Sequence, residues 1–261
     1  MFKWFGEVKK YRDLLYMITW REIKIKYKQS VMGFMWAIFM PILIICAGIC
    51  VKFAMSKLSG RPLALSEVSS VSVKALPWSF FISCIRFATN SLTTNVNLIT
   101  KIYFPRELFP ISAVFSQLFD FIIASSVLII ILVVAQVGAS IYLLWVPALL
   151  VVLIVFATAL GIFLSAANLF YRDVKYLVEV VVTFGIFFTP VFYESELAGR
   201  WEWLLLLNPV APLLEGLNSC IVLGRMPKPG WVLYSGIVSF TSFFLAMAFF
   251  KKLEPKFAEN I

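Results

Sequence analysis

The 261-residue sequence predicts an all-α integral membrane protein: six transmembrane helices, an N-terminal amphipathic interface helix and an outer re-entrant hairpin after the fifth span. Three observations predict it. Hydrophobic residues make up 61% of the chain and charged residues only 14%, against about 45–50% and about 25% in an ordinary soluble domain. The apolar residues gather into runs of about the 20 residues that a helix needs to cross a bilayer. The 23 Lys and Arg lie beside those runs and are divided unequally between their two ends. A net charge of +9 would suggest nucleic acid for a soluble chain, but here it belongs to loops at a membrane surface. Histidine is absent, which removes the usual general base near neutral pH and the commonest zinc ligand; neither catalysis nor a metal site is expected.

The elements follow in order. Residues 1–30 form a cytoplasmic segment whose helix, about 9–29, carries Tyr16, Trp20, Ile23 and Tyr27 as one stripe and Arg21, Lys24 and Lys28 as an adjacent basic stripe. That pattern suits a helix lying at the inner interface, or a docking surface for a cytoplasmic partner. The permease domain, 31–261, begins with span one at about 32–51, which contains Pro41. Span two is about 76–97 and rich in polar residues, span three about 110–134 and span four about 143–168. Span five, about 177–193, precedes an outer segment, 194–229, whose apolar run 201–207 is too short to cross and is broken by Asn208-Pro209. Span six is about 231–250. Four cysteines in or beside apolar runs read as small buried hydrophobes.

Orientation follows from charge. With both termini inside, the inner segments hold 15 basic residues and the outer ones seven, and Lys and Arg accumulate on the cytoplasmic side of short loops. The expected topology is therefore a multi-pass membrane protein with both termini cytoplasmic. The loop carrying Lys52, Lys57, Arg61 and Lys74 is more basic than an outer loop should be.

Two constellations stand out. In span two, Arg86, Asn90, Thr94 and Asn97 fall on one helix face that is polar from mid-membrane to the inner end; such a face must look into protein or water. Arg86 lies about 18 Å above the inner end of its span and Asp120 about 15 Å above that of span three, at 1.5 Å per residue. An intramembrane ion pair between them is predicted, because either charge alone would cost several kcal/mol. Aromatics are the second constellation: Phe34, Trp36 and Phe39 in span one, and Phe184, Phe187, Phe188, Phe192 and Tyr193 around Pro190. They suit core packing or interface belts, or faces on which sugar rings slide without fixed hydrogen bonds. No Gly-rich loop ending in Lys-Ser or Lys-Thr is present to cradle a nucleotide.

Six stretches taken together resemble the permease subunit of type 2 ABC exporters for bacterial cell-surface polysaccharides, which move O-antigen, capsular polysaccharide and teichoic acid. They are WREIKIKYKQSVMGFMWAIFMP (20–41), KIYFPRELFP (101–110), NLFYRDVKY (168–176), FTPVFY (188–193), NP (208–209) and KKLEPKFAENI (251–261). The resemblance implies a homodimer paired with two copies of a separate ABC ATPase, which would bind ATP and Mg so that this chain needs no cofactor. It implies that Arg21, Glu22, Lys24 and Lys28 dock the ATPase, and that Phe104, Pro105, Arg106 and Glu107, within a coupling loop at about 98–109, receive its motion. Trp36, Phe39, Phe188, Phe192 and Tyr193 become glycan contacts along a channel for a polyprenyl diphosphate-linked polysaccharide. The alternatives are a teichoic acid exporter of the same family, a related permease for drugs or lipids, and a membrane-embedded glycosyl- or phosphotransferase. The last would need acid clusters that the spans lack.

Overall fold

A computed structural model describes residues 10–28, 33, 35–60, 62, 64–101 and 104–259. The expected start of span one at Met32, the residue Phe34 and positions 1–9 lie outside the described residues. Ten α-helices are described: α1 (Arg12–Lys28), α2 (Met35–Ser59), α3 (Leu65–Thr94), α4 (Val96–Lys101), α5 (Leu108–Val134), α6 (Trp145–Phe170), α7 (Val174–Phe188), α8 (Glu202–Leu206), α9 (Val210–Ile221) and α10 (Pro229–Leu253). Short 3₁₀ turns at Ile141–Leu144, Ser195–Trp201 and Glu254–Glu259 complete the chain, and no strand occurs among the described residues. The protein is an all-α integral membrane protein. Five helices (α2, α3, α5, α6 with its leading turn, and α10) are long and apolar enough to cross a membrane, and a bent pair comprising α8 and α9 would make a sixth.

The apolar runs of α2, α5, α6 and α10 are legible because much of each faces outward. α3 is different. It is the hub of the bundle, in contact with α2, α5, α6, α7 and α9, and 83% of its most apolar stretch is buried within the protein. Its polarity is the result of that position. A helix that sees no lipid can carry Ser69, Ser72, Thr89 and Ser91, each of which donates to a carbonyl three or four residues back along the same helix. The hydroxyls thereby avoid the roughly 1–3 kcal/mol that an unmade buried hydrogen bond costs. Small residues on this helix also admit close neighbours. A Cβ added at Gly161 of α6 would stand 2.7 Å from Ala88 Cβ, so glycine there is a condition of the α3–α6 packing.

α3 also corrects the reading of its own boundary. Span two was expected from about residue 76, but the helix starts at Leu65 and Lys74 lies inside it, fully buried. Lys74 donates to the Tyr193 carbonyl at 2.6 Å and lies 3.6 Å from Glu215 of α9. Lys52, near the end of α2, is likewise buried and 3.9 Å from Glu194. Two of the four cations counted as loop charges are therefore packed partners of carboxylates, and the excess basicity of that segment is partly neutralised inside the fold.

The fifth span also differs. α7 has 15 residues, about 22 Å of helix, and ends at Phe188, where the chain turns extended at Thr189 before Pro190. The predicted run 177–193 is thus a short helix plus an irregular stretch. Beyond it, the helices on either side of Asn208-Pro209 are bent by 113°, and the Asn208 side chain donates to Thr189 Oγ1 at 2.8 Å while accepting from the Val210 amide. Cys84 and Cys220 are buried as expected, whereas Cys46 and Cys50 face outward on α2.

Both described ends of the chain lie at one end of the bundle. α1 packs against the first turns of α5, and the turn Glu254–Glu259 places Phe257 against Phe170 and Phe250.

Candidate functional site

At the end of the bundle that holds the two chain ends, α1, α3, α5 and α7 bring together most of the ionisable side chains within the apolar region. α1 is amphipathic, but its faces are divided otherwise than the stripe suggested. Ile18, Ile23 and Tyr27 are buried against the bundle, while Tyr16 and Trp20 are exposed and stack on each other, ring centroids 6.5 Å apart. Lys24, over the Trp20 ring at 5.7 Å, and Lys28 also face outward. Arg21 and Glu22 turn partly inward: Arg21 donates to Asn95 Oδ1, and Glu22 accepts from Ser112 of α5 at 3.2 Å. The four expected docking residues therefore split, Lys24 and Lys28 on the open face and Arg21 and Glu22 in the seam. Burial pushes the Glu22 carboxyl up to about 7, although its hydrogen bond from Ser112 and the charge of Arg21 act the other way.

The expected ion pair between Arg86 and Asp120 does not form. Asp120 pairs with Lys26 of α1 and accepts from the Tyr27 hydroxyl, and Lys26 also reaches Gln117 at 3.2 Å. Arg86 pairs with Glu179 of α7 at 2.9 Å. The depth argument correctly required a partner for each charge, but matching depths do not fix the direction in which a side chain leaves its helix. It also omitted α1, which supplies Lys26, and Glu179, the second carboxylate at this level. Of the remaining polar face, Asn90 and Thr94 bond to backbone carbonyls within α3, and Asn97 lies beyond the helix end in α4.

Three cavities surround this network. One of about 430 Å³ lies between Asn90, Thr93, Asn168, Arg172 and Lys175. The largest, about 710 Å³, is lined by Arg21, Glu22, Arg86, Asn90, Asn95 and Glu179 among others. A third, about 270 Å³, is mainly apolar, walled by Met40, Pro41, Leu76, Phe80 and Phe121, with Lys26, Arg86 and Asp120 at its edge.

The 104–107 segment has a partner that sequence reading missed. The Arg106 amide donates to Glu254 Oε1 at 3.4 Å, its guanidinium donates to the Glu254 carbonyl at 3.1 Å, and the guanidinium lies 5.8 Å from the Phe257 ring. Phe104 is buried against Phe109, Pro105 is half-buried and Glu107 is 1% exposed. The segment and the tail thus form one packed unit, although positions 102 and 103 of the coupling loop are outside the described residues. The only sequence signal for this was the proximity of both motifs to the ends of apolar runs.

The aromatic groups are not one cluster. Trp36 and Phe39 meet edge to face near the start of α2, both partly exposed. Phe184, Phe187 and Phe188 are exposed on α7. Phe192 instead fills the space beside Gly48 of α2, where an added Cβ would come within 2.7 Å of its ring, and the Tyr193 hydroxyl donates to the Phe187 carbonyl.

Residues 13–222 match the family model described as ABC-2 type transporter. Among curated proteins, the chain is similar to an O-antigen export system permease protein RfbA of Klebsiella pneumoniae, with 29% identity over 95% of this chain and 94% of the relative. A protein of the same name from Myxococcus xanthus shares 25% identity over 98% of both chains. The family match covers four fifths of the sequence, from α1 to the end of α9, and takes in every element of the charged network and the long helices that hold it: this chain belongs to the ABC-2 type transporter family.

Proposed function

We propose that this chain is the membrane subunit of an ATP-driven exporter that moves a lipid-linked polysaccharide of the O-antigen type across the bacterial cytoplasmic membrane. The observation that carries this reading is the end-to-end similarity to permeases named for O-antigen export, over 95% or more of this chain; a shared membrane module alone would leave one end unmatched. The chain itself is the conduit. ATP and Mg belong to a separate ABC ATPase, and two copies of each subunit make the complex.

The surfaces support this division of labour. Exposed Tyr16, Trp20, Lys24 and Lys28 offer an aromatic and basic face on α1 for the ATPase. Motion would pass through the packed unit of Arg106, Glu254 and Phe257. The exposed rings of Trp36, Phe39 and Phe188, on α2 and α7, would line a path between two copies, where aromatic faces let sugar rings slide. Phe192 and Tyr193 are half-buried, Phe192 against Gly48 of α2, and would border that path.

The test is copurification. Tagged wild-type chain should retain a stoichiometric ATPase whose turnover rises with polyprenyl-linked glycan. Lys24→Glu combined with Lys28→Glu reverses the charge of an exposed face, and should abolish retention while leaving the permease monodisperse and its thermal stability unchanged. A wild-type chain that never retains an ATPase refutes the reading.

A further inference from the structure

The cavity of about 430 Å³ lies on another face of α3 from the charged network. Asn90 and Thr93 line it from α3, Asn168 from the end of α6, and Arg172 and Lys175 from the turn into α7 and its first residues. Of these, Asn90 also borders the cavity of about 710 Å³. The other two cavities at this end of the bundle mix their charges. The larger has Arg21, Lys26 and Arg86 with Glu22 and Glu179, and the smaller has Lys26 and Arg86 with Asp120. The 430 Å³ cavity has two cations and, among the described residues, no carboxylate in its wall.

The local sequence builds this excess of positive charge. Asn168 is buried, donates through Nδ2 to the Thr89 carbonyl at 3.1 Å and accepts through Oδ1 from the Lys175 amide at 3.2 Å. That clamp fixes the turn between α6 and α7 against α3, with Arg172 and Lys175 beside the cavity. A glutamate four residues after a lysine ordinarily pairs with it along a helix, but Glu179 is held by Arg86 at 2.9 Å. Lys175 is left over the Tyr176 ring, 4.8 Å from its centroid. Arg172 is exposed and forms no ion pair among the described residues. Asp173 between them is exposed as well, and against its charge the two cations leave one positive charge over. The amides of Val174, Lys175, Tyr176 and Leu177 all have acceptors. What a ligand meets here is therefore the two side chains, not the helix end.

We propose that this cavity seats the head of an anionic glycerophospholipid of the surrounding bilayer, with its phosphodiester between Arg172 and Lys175. A phosphodiester carries one negative charge, which matches the charge left over, and a guanidinium can hold two phosphate oxygens at once. The volume of 430 Å³ equals roughly 14 water volumes, room for the about ten non-hydrogen atoms of a phosphoglycerol head, whereas inorganic phosphate, with about five, would leave most of it empty. Outside the cavity Tyr171 and Tyr176 are exposed, as aromatics are where membrane meets water. Leu177, Val180 and Val181 extend an exposed apolar surface along α7 for the acyl chains. By joining the α6–α7 turn to the end of α3, the lipid would brace α7, in which only Val178 and Val182 are buried. The site goes beyond the export reading and takes from it only the orientation that makes this end the cytoplasmic one, where basic pockets between membrane helices receive acidic lipid heads.

Native mass spectrometry of the purified full chain, titrated in turn with phosphatidylglycerol and phosphatidylcholine, tests this. One phosphatidylglycerol should stay bound per chain at concentrations that leave no phosphatidylcholine. Arg172→Gln and Lys175→Gln should each weaken binding about fivefold, and together about 30-fold, the contribution of one basic side chain apiece beside acidic lipid. Neither side chain is fully buried, so the melting temperature without lipid should not move. Lys24→Gln with Lys28→Gln removes the same charge from the exposed face of α1 and should change nothing; an equal loss there would overturn the site in favour of general surface charge. Inorganic phosphate that competes as well as the lipid would also overturn it. Unchanged lipid binding in the Arg172→Gln, Lys175→Gln double variant, with the ATPase still retained, would refute the site and leave the export reading intact. A double variant that keeps the lipid but loses the ATPase would assign these cations to the ATPase instead. A wild-type chain that binds phosphatidylglycerol as expected yet never retains an ATPase would refute the export reading and leave the lipid site standing.

Discussion

Replacing Lys74 should separate the far end of the bundle from its hub. The ammonium is fully buried, donates to the Tyr193 carbonyl and lies 3.6 Å from Glu215. It therefore joins α3, the stretch after α7 and α9 at one point. Lys74→Met keeps the volume but leaves the Tyr193 carbonyl unmet and the Glu215 carboxylate, whose side chain is 20% exposed, with only the Ser195 amide. Removing one partner of a buried pair costs about 3–5 kcal/mol. At about 2–4 °C per kcal/mol, the melting temperature should fall by on the order of 10 °C. Adding Glu215→Gln removes the stranded charge and should recover about half of that loss. A thiol-reactive dye reads the transition in a Cys46→Ala, Cys50→Ala background, because Cys84 and Cys220 are buried and Cys220 sits on α9 itself. A Lys74→Met protein that melts with the wild type, or a double variant no more stable than the single one, would refute the argument.

Three further outcomes follow from the packing. Gly161→Val should cost about 1–3 kcal/mol by overpacking, and Ala88→Gly should restore part of it, as measured by the same melting assay. Asp120→Asn leaves Lys26 without its carboxylate and should raise hydrogen exchange in the α1 amides by about tenfold, the loss of one bond to a charged group, with the amides of α6 unaffected. Glu22 gives a pH dependence. Its folded pKa, about 7 against an ordinary 4.5, means that the folded protein holds the proton more tightly. The corresponding stability is complete below about pH 4.5 and is lost as pH rises through about 7. Exchange in α1, corrected for the intrinsic rate, should therefore rise between pH 5 and 8, and Glu22→Gln should remove the trend.

How much of this was legible depended on what each residue faces. The helices that present their sides to lipid announced themselves, since lipid accepts nothing polar over 20 residues; α2, α5, α6 and α10 lie where the apolar runs are. The buried hub did not, because protein neighbours allow what lipid forbids. Lys74 looked like the edge of a loop, yet its acceptor at Tyr193 is 119 positions away, beyond the reach of any local pattern. In the candidate site, the need for partners was legible in Arg86 and Asp120, but the choice of Glu179 and Lys26 was not. That choice depends on the rotation of each helix about its axis, which follows from packing. The Arg106–Glu254 contact, between residues 148 apart, was invisible for the same reason.

That contact has a consequence for synthesis. Arg106 sits between the second and third long helices, whereas Glu254 and Phe257 follow the last. The seat on which 104–107 rests cannot exist until α10 and the turn after it have been made. Earlier in translation Arg106 has neither Glu254 nor the Phe257 ring to pack against. Truncation before Glu254 would therefore leave Arg106 without its acceptor and without the ring it lies against, even with all five long helices made.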